Sequence, residues 1–257
     1  MGGRDSIAYR LTRFAMRFAE WRIGRVATLG RALTDRRERR PVLLVHGYGN
    51  APSSMQAIER SLLRDGFVAE TIGLPEHGCG DAMVDANLVV ERVARIREAT
   101  GAPRVDVVGH SRGGLVSRTA QQLVDQDRSI GRVVTIASTN QGIHVGLLGW
   151  VARFVVPSGV TQIRTLSDIS ERLLATQDAF DLVSVGTIGH DGVVSPPSGM
   201  RIDGKPFLPV DRGRTIGPLS RIGHYRILRD DISYEAIRDA LLLPTAESDM
   251  RPNSTPR

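Results

Sequence analysis

The pentapeptide Gly109-His110-Ser111-Arg112-Gly113 most narrows the folds open to this chain, because it lies between the β-branched run Val105 to Val108 and a stretch of helical spacing from Gly114 to Asp127. A strand that turns at once into a helix needs a bend too tight for side chains at its base, and glycine at 109 and 113 permits it. The bend leaves the Ser111 hydroxyl exposed at its apex. It also points the N-terminus of the following helix at any negative charge that develops there. The placement, more than the G-x-S-x-G spelling, argues for a nucleophilic serine over a glycine-rich turn.

The flanking sequence repeats the same alternation. Val42 to Val45, Phe67 to Ile72, Val133 to Ala137 and Leu182 to Ile188 read as strands, with a last one near Arg214 to Ile216. Ser54 to Arg64, Ala82 to Thr100 and Asp230 to Leu243 have helical spacing, the second stopped by Gly101 and Pro103. Strands alternating with helices predict an α/β fold: a mostly parallel sheet with helices on both faces. One domain over 41–243 accounts for most of the 257 residues, followed by a frayed tail at 244–257. Ile143 to Val156 is strongly apolar and falls between a strand and a helix, so 142–166 reads either as a lid or acyl-pocket insertion or as core filler.

The net charge of +6 is unevenly spread. Residues 1–40 hold eleven Arg against Asp5, Glu20, Asp35 and Glu38, a local charge of +7, which leaves the rest at −1. Basicity therefore belongs to an N-terminal extension, and nucleic acid is not expected as a partner. Within that extension Ile7, Leu11, Phe14, Phe18 and Trp21 share one helical stripe. An amphipathic helix is predicted, followed by a solvated linker at 35–40. It either packs on its own domain or docks, through residues 1–34, on an anionic membrane surface. Arg13, Arg17, Glu20 and Arg22 interrupt any apolar core of a secretory signal, so the expected location is cytoplasmic or peripheral to a membrane. The single cysteine, Cys79, excludes an intramolecular disulfide and reads as an inert, partly buried loop thiol.

Where a serine sits on such a bend, the acid and the histidine follow it in that chain order. His224, in Arg221-Ile222-Gly223-His224-Tyr225, is the histidine downstream of every strong acid candidate; His77, His110, His144 and His190 precede it. Asp191 is the preferred acid because Gly189-His190-Asp191-Gly192 makes a tight turn directly after a strand. Asp168, Asp181, Asp203 and Asp211 remain alternatives, although the first reads as a helix start and the others lack a turn directly after a buried strand. His46-Gly47-Tyr48-Gly49 follows the first strand. Its expected contribution is the Tyr48 backbone N–H, which with the Arg112 N–H would hold an oxyanion, while His46 braces the loop.

The segments VHGYG, VVGHSRGGL, TIGHDGVVSP and IGHYRILRD resemble the class 2 triacylglycerol lipases and related bacterial esterases, over residues 41 to about 243. The resemblance implies an α/β-hydrolase fold without metal or organic cofactor and hydrolysis of carboxylic esters of apolar acids. It implies the roles of nucleophile, acid and base for Ser111, Asp191 and His224, and a small-molecule or lipid ester as substrate. Ala137-Ser138-Thr139-Asn140-Gln141-Gly142 departs from the family's Pro-His-Gly-containing turn. Two other readings compete: an acyltransferase at a membrane, with an acceptor other than water, and a binding module without catalysis.

Overall fold

The computed structural model describes residues 39–141, 159–189, 191–194, 197–211, 215–216, 219–220 and 222–244. The predicted N-terminal helix and the apolar stretch 142–158 lie outside these residues. Six parallel strands form the sheet, in the order β2-β1-β3-β4-β5-β6. They are β1 (Val42–Val45), β2 (Ala69–Ile72), β3 (Val105–His110), β4 (Ile130–Ile136), β5 (Leu182–Gly186) and β6 (Phe207–Pro209). The helices are α1 (Gln56–Arg64), α2 (Ala82–Thr100), α3 (Arg112–Thr119), α4 (Gly159–Thr176) and α5 (Asp231–Leu241).

Each central strand is buried on both faces, which is why these segments read as continuous apolar runs and not as alternating ones. Successive side chains still go to opposite layers. Val42, Leu44, Val108, Val134 and Val185 pack with Met55, Ile58 and Leu62 near α1 and with Ile237 and Ala240 of α5. Leu43, Val45, Val107 and Val133 pack on the other face with Ala86, Val89 and Val93 of α2, Leu115 and Val116 of α3, and Leu173 of α4. Each buried Val, Leu, Ile or Met among them contributes about 1.5–3 kcal/mol by leaving water.

Helix α2 begins where Asp81 accepts the amides of Met83 and Val84 at 2.8 and 3.0 Å. It stops at Gly101, whose φ of 70° ends the helix in a conformation glycine adopts at little cost. Helix α3 starts at Arg112, two residues before the expected start at Gly114, and continues as a π turn over Ala120–Val124. Gly113 and Gly114 are helical here because the helix runs so close to the sheet. A Cβ on Gly113 would collide with the carbonyls of Val45 and His46, and one on Gly114 with Ser138.

Two expectations need correction. The segment near Arg214 to Ile216 is not the last strand of the sheet: Thr215–Ile216 (β7) pairs antiparallel with Leu219–Ser220 (β8) in a separate ribbon. The sheet ends instead on β6, paired with β5. Three half-buried residues beside Pro206 and closing on Pro209 are too short for a periodic signal, and proline is tolerated there because an edge strand can spare its N–H. Arg40 is likewise no solvated linker residue. Its guanidinium lies 3.0 Å from the buried carboxylate of Asp106 on β3.

The strand order places the site. From β1 the chain crosses to β2 on one side and later to β3 on the other, so the strand order reverses between β1 and β3, whose following loops leave from the carboxyl ends of adjacent strands. Parallel sheets bind ligands at such switch points.

Candidate active site

Ser111 stands at the end of β3 with φ 53° and ψ −123°, backbone angles that favour glycine and are costly for a residue with a Cβ. The surroundings enforce them. Gly109 faces the backbone of Gly113 and Gly114 so closely that any Cβ would collide, and the Ser111 amide is tied to the Ile136 carbonyl at 2.8 Å. The hydroxyl is thereby turned out of the sheet toward His224.

His224 Nε2 lies 3.0 Å from Ser111 Oγ, and its Nδ1 lies 2.7 Å from Asp191 Oδ2. Serine, histidine and aspartate thus form one continuous hydrogen-bonded chain although 113 residues separate the first pair. With Nδ1–H donating to the carboxylate, Nε2 is free to accept the serine proton. The two oxygens of the Asp191 carboxylate have separate partners. Oδ1 accepts the amides of Val193 and Val194 at 2.9 and 2.7 Å, which leaves Oδ2 for His224. Burial pushes this carboxyl upward, but the hydrogen bond and charge of His224 and the two amides outweigh it, and its pKa is lowered.

The other candidate carboxylates lie elsewhere or have other partners. Asp211 accepts the amides of Ile188 and Gly189 at 3.0–3.1 Å and so braces the turn that carries Asp191. Asp181 pairs with Arg132, Asp203 accepts from Gln141 Nε2, and Asp168 is exposed on α4.

The loop after β1 abuts Ser111. A Cβ on Gly47 would come within 3.1 Å of the Ser111 Cβ, so only glycine lets this backbone approach so near. Tyr48 follows with a half-exposed side chain, and Asn50 Nδ2 donates to its carbonyl at 3.3 Å. His46 does brace the loop: Nε2 accepts the Leu74 amide at 3.0 Å while Nδ1 donates to the Gly47 carbonyl at 3.0 Å. Burial lowers its pKa, which suits a neutral spacer. Arg112 opens α3, where the first backbone N–H groups of a helix have no partner within it.

Sequence reasoning missed the Arg112 side chain. It reaches the buried Asp85 of α2 at 2.7 Å and the Gly80 carbonyl at 2.6 Å, pinning the 75–80 turn beside the β1 loop. Cys79 in that turn is partly buried. Spacing could not reveal the pair, because Asp85 lies 27 residues upstream on another helix. Among the described residues no cluster of His, Cys, Asp or Glu could hold a metal ion, and no helix is long and apolar enough to cross a membrane.

The fold is that of the α/β-hydrolases. A mature lipase of Bacillus licheniformis matches at a TM-score of 0.61 and 16% identity, over 80% of this chain and 93% of its own. A monoacylglycerol lipase of Paleococcus ferrophilus matches at 0.56 and 15%, over 79% and 95%. An extracellular α/β-hydrolase from a Paenibacillus species matches at 0.52 and 13%, over 78% and 98%. At this level of identity the likeness concerns fold. Residues 8–155, more than half the chain, match the family described as a domain of unknown function, DUF7379, and the chain belongs to that family.

Proposed function

We propose that the protein is a serine hydrolase that cleaves carboxylic esters of apolar acids. The observation that carries the reading is the Asp191–His224–Ser111 hydrogen-bonded chain, with Ser111 held in a strained bend. His224 Nε2 takes the hydroxyl proton as Oγ attacks the ester carbonyl carbon. The carbonyl oxygen becomes an oxyanion facing the Tyr48 and Arg112 amides. Collapse breaks the C–O bond to the alcohol, which leaves with the proton from His224. Water then repeats the sequence on the acyl-serine and releases the acid.

Support for an apolar substrate comes from the exposed Tyr48, Val193 and Tyr225, each next to or near a site residue in the chain, and from the apolar composition of 143–156. The test is hydrolysis of p-nitrophenyl esters from short to long acyl chains by wild type and Ser111→Ala. Turnover that falls at least about 10³-fold in the variant, with unchanged folding, supports the reading. A wild type inactive on the whole series, or a variant near wild type, overturns it.

The basic extension is a separate proposal. We infer that residues 1–34 attach the enzyme to anionic membrane surfaces, since their charge of Arg and their apolar stripe suit that interface. Deleting them should weaken binding to anionic vesicles in a salt-dependent manner; equal binding by the shortened chain would refute it.

A further inference from the structure

His110 precedes the nucleophile, is fully buried, and takes no part in the proton transfers above. Its Nε2 lies 2.9 Å from the backbone carbonyl of His224, 114 residues away. A carbonyl can only accept, so Nε2 carries the hydrogen. The other ring nitrogen, Nδ1, is buried without a hydrogen-bond partner, as befits the lone pair of a neutral imidazole. The ring also packs between the two loops that meet at Ser111. Its centroid is 4.7 Å from that of His224, and a Cβ on Gly47 would come within 3.2 Å of its Nδ1.

The base is therefore held at every polar point except the one that meets the serine. Its backbone N–H donates to the Asp191 carbonyl at 2.9 Å, its Nδ1 to Asp191 Oδ2, and its carbonyl accepts from His110. The first two bonds come from the same residue, Asp191, and tie the base only to the turn after β5. The third ties it to β3, the strand that carries the nucleophile. Without it the distance between base and nucleophile would depend on two loops moving together.

Resting on the hydrolase reading for its kinetic part only, we propose that His110 is a positioning residue: a neutral Nε2–H donor that fixes the His224 backbone relative to Ser111. The ring stays uncharged because burial, aided by the adjacent His224, holds its pKa at about 3. Asp191 and Tyr225 also face it, the latter at 6.1 Å between centroids. A charged ring here would oppose the imidazolium that forms on His224 during acyl transfer.

The test compares His110→Gln with His110→Met, side chains of similar length of which only the first offers an N–H donor. In His110→Met kcat is expected to fall about 10- to 100-fold with KM within about twofold, the scale of a small misplacement of a catalytic group. His110→Gln should recover most of that loss at a similar melting temperature. An independent readout is the low-field proton resonance of His224 Nδ1–H, identified by its absence in Asp191→Asn. It should persist in wild type and His110→Gln and broaden in His110→Met. Equal kcat and equal resonances in the two variants, whether both normal or both impaired, would overturn the proposal. A wild type without esterase activity but with the expected resonance pattern would remove the hydrolase reading and leave the positioning role standing.

Discussion

The two ends of the sheet use buried charge in opposite ways. At the amino ends of the strands Arg132 is 2% exposed and donates to the carbonyls of Ala240, Leu243 and Pro244 and to Asp181, fastening the end of α5 under the sheet. Asp106 there receives Arg40 and the Arg132 amide, and Asp125 accepts the amides of Ser129 and Ile130. At the carboxyl ends Asp191 and His224 are equally buried, yet their chain of bonds ends on a hydroxyl held by strained backbone. The first arrangement satisfies main-chain groups and stiffens the fold. The second leaves one ring nitrogen aimed at an outward-turned hydroxyl. Burial and pairing alone therefore do not mark the site; the mark is a paired chain that ends on strain.

Substitutions at the two ends should separate activity from stability. The largest effect expected is at Ser111→Ala, at least about 10³-fold in kcat/KM with little change in melting temperature. Asp191→Asn should follow, with a loss of about 10³–10⁴ in kcat because the amide cannot fix the same His224 tautomer; steady-state kinetics on the favoured ester would show it. Retained activity in either variant would erase the distinction drawn between the two ends.

At the amino end the signs reverse. Arg132→Met should cost about 3–5 kcal/mol of stability in a denaturant titration while kcat per folded molecule stays constant, since it strands several carbonyls and a carboxylate. A fall in kcat would mean that the two ends are coupled. Ser111→Gly should be inactive yet more stable by about 1 kcal/mol, because glycine relieves the strain at φ 53° at some cost in chain entropy. An unchanged or lowered stability would show that the bend stores no strain.

The smallest effects are in the pH dependence. Asp191 has a folded pKa below its unfolded value of about 3.9, so its contribution is present above that value and is lost as pH falls through the folded pKa. Burial raises Asp106 despite Arg40, so its contribution is present below about 3.9 and is lost as pH rises through the folded pKa. The stability difference between wild type and Asp191→Asn should thus grow with pH on the acid side, and that for Asp106→Asn should shrink with pH above it. Parallel slopes in unfolding titrations would contradict the contrast.

Much of the site was legible because its parts carry local signatures. Gly109 and Gly113 announce a bend, Gly189 to Gly192 a turn, and Val105 to Val108 a buried strand. His224 and Asp191 followed from chain order and from the turn after a strand. The braces were hidden for the opposite reason: His110 on the His224 carbonyl, Arg112 on Asp85, and Asp211 under the Asp191 turn are contacts across long stretches of chain. Asp211 even stood among the rival acids, because a carboxylate that accepts backbone amides cannot be told by spacing from one that accepts an imidazole. β6 escaped because an edge strand of three residues ending in proline has no periodicity to read.

The sequence by itself determined the alternation of the central strands and helices, the bend at Ser111 and the candidate residues Ser111, Asp191 and His224, since periodicity, glycine placement and turn chemistry act over a few residues. Only the tertiary structure decided which groups brace Asp191 and His224, which edge strand closes the sheet, and how His224 is held at 3.0 Å from Ser111. Those depend on contacts between segments 22 to 114 residues apart, and such contacts exist only once two packed layers hold β3 and the loop after β8 in one frame.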